Sequence, residues 1–335
     1  MTKEEYIKQM KLINNNYFVI FSNEDDSKKY YIGKKNKKIC RFCSESEPKV
    51  TFRTIAHAIP ECLGNKNIIC YDECDTCNKN FSENIEIHLD KITLRYRNIN
   101  MIKGKKKIPS YKSNDKKIRI DVVNKEERLN QVIASQNSNS ITFDKDKNIL
   151  KQNYDIPSHV PSLAYKTLVK MALSIMDYSS LKDFNLLNIW IQDKQQELNL
   201  GFPLKVMFTF IPAINPLQKI FVYLFKNKND KQEYFSHMFV LAFGNIMYQI
   251  GIPNDIEIIE RKSKKMLKLL SPFEIEKNLG NIKHEILDWS QTTTVKSHSV
   301  SMTFSYDKIE KLSNLNGILL TDLPKNLNDL KKLNK

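Results

Sequence analysis

The pattern of apolar and polar residues along the chain predicts a mixture of strands and helices. Short runs rich in β-branched and aromatic residues, bounded by turn-forming residues, predict strands over 17–21, 30–32, 118–123, 140–143, 204–211, 220–225 and 238–243. Apolar residues at helical spacing predict a helix over 163–176 and shorter ones near 261–270 and 309–312. The fold class is therefore α+β, with an antiparallel sheet and flanking helices in the second half.

Changes in this pattern divide the chain into four consecutive segments. We expect an N-terminal hairpin extension over 1–39, a compact cysteine-bearing module over 40–98, a basic linker with short strands over 99–156, and a larger α+β domain over 157–335. The last segment contains no phosphate loop or other visible catalytic motif, so we expect it to have a recognition or regulatory role.

All six cysteines lie between residues 40 and 77. Two CxxC pairs, Cys40/Cys43 and Cys74/Cys77, are separated by 30 residues, and two such pairs supply the four thiolates of a tetrahedral zinc site. The spacing therefore predicts a structural Zn²⁺. Cys62 and Cys70 lack partners at ligand spacing and are predicted to be small buried hydrophobic residues.

The segment between the two CxxC pairs has the pattern of two strands joined by a loop. The run from 50 to 59 favours a strand, the region from Pro60 to Asn65 a turn, and the run from 68 to 70 a second strand. His57 falls near the end of the first strand, where Arg53 would share its face. Apolar residues at 81, 85 and 89 then predict a helix with Asn78 at its N-terminal edge.

These residues resemble the HNH endonucleases, specifically the zinc-stapled branch of that family. The resemblance rests on the segment Ala56-His-Ala-Ile-Pro-Glu-Cys-Leu-Gly-Asn-Lys66 and on Asp72-Glu-Cys-Asp-Thr-Cys-Asn78, in which the second CxxC pair runs directly into an asparagine. It covers about residues 38 to 95 and implies that 40–98 is a ββα-metal (HNH) nuclease module. It implies nothing about the rest of the chain.

The resemblance also implies roles for individual residues. His57 would be the general base that activates water for phosphodiester hydrolysis, since an imidazole titrates near neutral pH. Asn78 would position the loop that bears His57, although a helix cap is compatible with the same position. A catalytic divalent metal, Mg²⁺ or Mn²⁺, would stabilise charge on the scissile phosphate. Arg53 could contact a phosphate or be a solvated surface residue.

Two positions that often carry catalytic metal ligands in the family are occupied here by Ala56 and Ser82. Glu86 lies one turn beyond Ser82, roughly on the same side of the helix, and is the best replacement candidate; an ordinary exposed glutamate is the competing interpretation. The alternatives are Glu61, Asp72, Asp75 and His88.

The chain has 53 basic and 38 acidic residues, a net charge of +15. Between residues 91 and 119 there are eleven basic residues and one acidic residue, including the run Lys105, Lys106 and Lys107. Such a run favours phosphate backbones, because neutralising phosphates releases counterions, although a solvated linker fits equally well. Together with the resemblance it implies nucleic acid as a partner, with double-stranded DNA as the expected substrate and RNA and single strands left open.

The longest apolar run, 238–252, is interrupted by Asn245 and Gln249, so no membrane span is expected. The N-terminus has acidic residues where a signal peptide would be basic, which favours the cytoplasm.

Two functional hypotheses remain open. The first is a metal-dependent endonuclease, of a kind that occurs in bacterial phage defence and mobile elements, activated by a ligand or protein partner through 157–335. The second is a non-catalytic zinc-dependent nucleic-acid-binding or interaction protein.

Overall fold

The computed structural model describes residues 2–25, 28–126, 129–134, 140–228, 233–261, 263–275, 279–305, 310–311 and 318–319. The fold is a mixed α+β arrangement with antiparallel sheets, which confirms the expected class. The helices are α1 (Lys3–Asn16), α2 (Asp75–Phe81), α3 (Ile87–Ile99), α4 (Pro161–Ile175), α5 (Asn185–Gln192) and α6 (Asp255–Ile259), with a π-helical turn at Ser82–Glu86. Not one of the helices in these ranges is both long and apolar enough to cross a membrane.

The strands fall into four sheets, apart from a short pair at 310–311 and 318–319. In chain order they are β1 (Tyr17–Ser22), β2 (Tyr30–Ile32), β3 (Ala56–His57), β4 (Ile68–Cys70), β5 (Tyr111–Lys112), β6 (Ile118–Asn124), β7 (Leu129–Ala134), β8 (Ile141–Asp144), β9 (Ile149–Ile156), β10 (Lys205–Phe210), β11 (Leu217–Asn227), β12 (His237–Gly244), β13 (Ile246–Ile252), β14 (Lys283–Asp288) and β15 (His298–Ser305).

The chain divides into two compact units that do not follow the expected four segments. The first unit combines Met1–Asp90 with Val160–Val295, and the second combines Lys91–His159 with Lys296–Lys335. Residues 40–90 of the cysteine-bearing module therefore share a unit with much of the second half, and its last residues, 91–98, belong to the second unit. The physical reason is α4, which packs against both the π turn and strands β12 and β13.

A six-stranded antiparallel sheet, in the order β1-β11-β12-β13-β10-β14, forms the largest sheet of the first unit. The predicted N-terminal hairpin is wrong, because β1 pairs with β11 and β2 pairs in parallel with β4. The residues before β1 form α1, whose start is fixed by a capping box between Thr2 and Glu5. Pairing with β11 buries Tyr17 against Phe225, which a local hairpin would not do.

Helix α4 is the central helix of the first unit, and all fifteen of its residues are buried. Pro161 occupies its first turn, as the predicted helix over 163–176 requires. A helix this deeply buried is normally apolar all round, yet α4 contains Lys166 and Lys170, each at most 1% exposed. Both lysines must therefore find polar partners inside the protein.

The second unit contains two three-stranded sheets, in the orders β5-β6-β7 and β15-β9-β8. The predicted strands over 118–123 and 140–143 are confirmed as β6 and β8. Apolar side chains of this unit form a small buried cluster that includes Tyr111, Ile120 and Tyr154.

The helices predicted from apolar spacing near 261–270 and 309–312 are not found in the described residues of those segments. The segment 263–270 contains no helix; Lys265 forms a bridge with Tyr234, and Leu267, Leu269 and Leu270 are buried. Of the predicted helix at 309–312, residues 310–311 form a strand pair with 318–319, and the other two positions lie outside the described residues.

Candidate zinc site and the ion cluster beside it

The four cysteines of the two CxxC pairs come together in the first unit. The sulfur atoms of Cys40, Cys43, Cys74 and Cys77 all lie within 4.8 Å of one another. Four thiolates at about 2.3 Å from a zinc ion would be about 3.8 Å apart in a tetrahedron, and the Cys43 and Cys74 sulfurs are 3.8 Å apart. The donor set and its geometry therefore fit a structural zinc ion, which these four side chains could hold.

Backbone and side-chain hydrogen bonds converge on these sulfur atoms. The Cys77 thiol hydrogen-bonds to Cys40, which lowers the pKa of Cys40 to about 5, and the backbone N–H of Cys74 also points at the Cys40 sulfur at 3.4 Å. The backbone N–H of Cys77 donates to the sulfur of Cys74, which is the N-cap residue of α2. Such donors favour the thiolate form of the sulfur that accepts them. Burial raises the pKa of Cys74, and the hydrogen bond with Cys40 raises that of Cys77, so Cys40 is the thiol of these three whose pKa is lowered.

Arg41, inside the first CxxC pair, connects the cysteine cluster to α4. Its guanidinium makes a bidentate contact with Asp72 at 2.8 and 2.9 Å. The same side chain donates through Nη1 to the carbonyl oxygens of Leu173, Ser174 and Met176 at 2.8, 2.7 and 3.1 Å. These carbonyls lie at the C-terminal end of α4, where a helix has unpaired acceptors and a negative dipole end.

Of the strand predicted over 50–59 only Ala56–His57 forms, as β3, whereas the second predicted strand forms as β4 and is followed by the predicted helix. Strands β3 and β4 are antiparallel, with His57 opposite Ile69. The helix is α2, the π turn and α3 in succession, and it buries Phe81, Ile85 and Leu89, the three residues that predicted it.

His57 lies at the end of β3 with its side chain 20% exposed, and its Nδ1 is 3.9 Å from a carboxylate oxygen of Glu61. Asn78 is inside α2 rather than at its cap; its backbone N–H donates to the carbonyl of Cys74, the residue that caps the helix. The predicted position of Asn78 at the helix entrance is therefore displaced inward by one turn.

A buried ion cluster formed by Glu73, Glu86 and Lys170 lies beside His57. Lys170 Nζ is 3.1 Å from Glu73 Oε2 and 3.3 Å from Glu86 Oε1, and it donates to the His57 carbonyl oxygen at 3.4 Å. The side chains of Lys170 and Glu73 are fully buried, and that of Glu86 is 15% exposed. Burial raises the pKa of Glu73 to about 7. Burial lowers the pKa of Lys170, but the two carboxylates outweigh it and raise that pKa.

This cluster overturns the expectation that Glu86 is free to bind a catalytic metal. Three of the four alternative ligands are also engaged: Asp72 by Arg41, Asp75 by Thr51 and two backbone N–H groups, and His88 by the backbone N–H of Val160. The fourth, Glu61, has a carboxylate oxygen 3.9 Å from Nδ1 of His57. Within the described ranges, the four cysteines are the one group of three or more His, Cys, Asp and Glu side chains close enough to share an ion. The residues around His57 do not fit the expected Mg²⁺ or Mn²⁺.

The predicted phosphate-contacting residues are exposed but differ in position from the expectation. Arg53 does not share a strand face with His57, because β3 begins only at Ala56. The segment before it is held instead by Asp75, which accepts hydrogen bonds from the backbone N–H groups of Arg53 and Thr54. The exposed run Lys105, Lys106 and Lys107 lies in a loop of the second unit.

Sequence reasoning missed Lys170, although a signal was present. Lys166 and Lys170 are one turn apart in a helix whose other positions are apolar or small. A charge repeated at that spacing on a buried helix indicates an internal partner.

Comparisons with protein-family models, with curated proteins and with solved structures each find no match to this chain. The class of site is therefore defined by the geometry alone: a four-thiol cluster that could hold zinc, a strand pair and helix built around it, and a buried lysine clamped by two carboxylates.

Proposed function

We propose that residues 40–98 act as a zinc-stabilised HNH-type nuclease module that hydrolyses phosphodiester bonds, with DNA as the expected substrate. The observation that carries the proposal is the order of its parts. A strand ending in His57, a second antiparallel strand, and α2 with the π turn that follows the second CxxC pair all belong to one compact unit with the four-thiol cluster.

His57 would act as the general base. Its side chain is 20% exposed, so water can reach it, and a carboxylate oxygen of Glu61 lies 3.9 Å from its Nδ1. His57 would take a proton from water as the water oxygen attacks phosphorus; the bond from phosphorus to the leaving sugar oxygen would break, and that oxygen would take a proton from solvent. Exposed Arg53, held through its backbone by Asp75, is the candidate phosphate contact.

The mechanism includes no step through a second metal, because Lys170 already neutralises Glu73 and Glu86, the two carboxylates of the cluster beside His57. Zinc would have a structural role, since a site filled by four thiolates leaves no open position for substrate.

Cleavage by matched variants tests the proposal. Wild-type protein, His57→Ala and His298→Ala are incubated with supercoiled plasmid, single-stranded DNA and single-stranded RNA, each in Mg²⁺, in Mn²⁺ and in EDTA, with zinc content measured before and after. His298 is exposed on β15 of the second unit and serves as the control histidine.

We expect His57→Ala to cleave at least about 100-fold more slowly, the usual contribution of a general base, and His298→Ala to match the wild type. Equal cleavage by wild type and His57→Ala would remove His57 as the base. Preference among the three substrates identifies the nucleic acid.

A second candidate function is non-catalytic nucleic-acid binding. The observation that favours it is the Lys170 contact, which neutralises Glu86, the carboxylate chosen as the replacement metal ligand. Retained binding by zinc-loaded protein, without cleavage of any of the three substrates, would select this function over the first.

A further inference from the structure

We propose that the Lys170 ammonium is the resident cation of this module, occupying an oxygen cage made by the His57 carbonyl and the carboxylates of Glu73 and Glu86, so that no divalent metal binds there. The inference deepens the proposed function, because it concerns the metal requirement of the same site. It rests on that function only in taking 40–98 as an HNH-like module.

The donor set of the cage is one that a hard divalent cation would use. Mg²⁺ and similar ions are held in proteins by carboxylate and carbonyl oxygens. Here two carboxylates from the ends of the β4–α2 connection and the π turn converge with one backbone carbonyl from β3. Neither carboxylate oxygen of Glu73 accepts a hydrogen bond from a described residue, so the ion-pair contact of the ammonium with Oε2 provides the compensating charge for this carboxylate.

The same geometry excludes a second cation. The three oxygen contacts of Lys170 Nζ are 3.1 to 3.4 Å long, which suits an ammonium, whereas Mg²⁺ lies 2.0 to 2.1 Å from its oxygens. A metal bound to those oxygens would lie within a few ångströms of the ammonium, and like charges repel strongly where water is excluded.

The lysine has no route out of the cage towards water. It projects from a helix that is buried along its whole length, its own side chain is fully buried, and its Nζ lies 5.6 Å from the centre of the Phe81 ring. If the ammonium left the cage, the ammonium and the two carboxylates would lose their partners. An unpaired buried charge has a much higher free energy than an unpaired charge at the surface.

Lys166 offers a matched control on the same helix. It is also buried, but its Nζ donates to the backbone carbonyl of Asp193 and lies over the Trp190 ring. Removing the charge of Lys166 therefore leaves no pair of buried carboxylates without a cation. Lys166 and Lys170 thus differ in partners while sharing helix, burial and side-chain length.

The test is Mn²⁺ binding to the zinc-loaded full-length protein, measured by the loss of the free Mn²⁺ signal in electron paramagnetic resonance. The variants are Lys170→Met, Lys166→Met, Glu86→Gln and Lys170→Met combined with Glu86→Gln, all checked for zinc content. Because no nucleic acid is present, the result does not depend on whether the module cleaves, and a failed cleavage assay leaves this measurement intact.

We expect the wild type and Lys166→Met to bind no Mn²⁺ below millimolar concentration. Lys170→Met should bind one Mn²⁺ at least tenfold more tightly than the wild type, and Glu86→Gln should remove that gain. Stoichiometric Mn²⁺ binding by the wild type that Glu86→Gln abolishes would overturn the inference, as would a folded, zinc-loaded Lys170→Met that gains no Mn²⁺ site. If Lys170→Met does not fold, the wild type with and without Glu86→Gln decides alone.

Discussion

Arg41 offers the sharpest prediction for stability, because one side chain joins the cysteine cluster to the end of α4. Its guanidinium is 1% exposed and pairs with an Asp72 side chain that is 4% exposed. Arg41→Met keeps the length of the apolar stem and removes the charge and all donors. The Asp72 carboxylate and three carbonyl oxygens then lose their partner together.

The magnitude follows from what is left behind. Removing one partner of a buried ion pair typically costs about 3 to 5 kcal/mol, because the other charge remains buried and uncompensated. For a unit of this size a urea m-value of about 3 kcal/mol/M is appropriate, so the midpoint should fall by about 1 to 2 M.

The assay can follow the first unit alone. The chain has two tryptophans, Trp190 and Trp289, and both belong to that unit, so their fluorescence reports its unfolding. Lys49→Met is the control: its ion pair with Glu45 has side chains 72% and 39% exposed, and such pairs contribute at most about 1 kcal/mol. Zinc content must be equal in all samples, since Arg41 lies between two cysteines.

The effects of changing Arg41 and Asp72 on the free energy of unfolding should be coupled. Arg41→Met combined with Asp72→Asn should cost less than the sum of the single changes, because the second change removes the stranded charge. An Arg41→Met midpoint within about 0.3 M of the wild type, with zinc retained, would refute the account.

Three further predictions concern other parts of the molecule. Purified protein should contain about one zinc per chain, and Cys74→Ser should lose it and destabilise the first unit; zinc-free wild type of equal stability would contradict this. Neutralising Lys105, Lys106 and Lys107 should weaken DNA binding and reduce the salt slope by about 0.9 for each phosphate that is no longer neutralised, whereas an unchanged slope would mean that the loop does not touch the DNA backbone. Burial lowers the pKa of His237 to about 4; since the unfolded chain then binds more protons, stability should be full above pH 6.5 and fall by about 3 kcal/mol towards pH 4. His237→Gln should flatten that fall in urea titrations followed by tryptophan fluorescence, and an unchanged pH profile would exclude His237 as its source.

The sequence was most informative where chemistry and local spacing agree. The two CxxC pairs predicted the cysteine cluster, because two such pairs commonly supply the four thiolates of one metal site. The residues at 81, 85 and 89 predicted the buried face of the helix even though a π turn interrupts it, since its core positions are one turn apart.

Pairings between distant parts of the chain could not be predicted in this way. Nothing local shows that β1 pairs with β11, because strand patterns indicate a face and not a partner. The same limit applied to Glu86, for which helical spacing predicted only that it lies on the same side of the helix as Asn78 and Ser82. Its partner Lys170 comes from a helix in the second half of the chain, so the ion pair that decides its chemistry depends on the tertiary fold.

The two-segment construction of the first unit has a consequence for synthesis on the ribosome. The cysteines and both carboxylates of the ion cluster emerge before the whole of Lys91–His159, and Lys170 follows only afterwards. At about 5 to 20 residues per second, Glu86 waits roughly 4 to 17 s for its lysine. During that interval the nascent module has its thiols for zinc but lacks the cation that neutralises its interior, so the carboxylates must stay hydrated until α4 arrives. The ion cluster can therefore form only after residue 170 has been translated and α4 has joined the first unit.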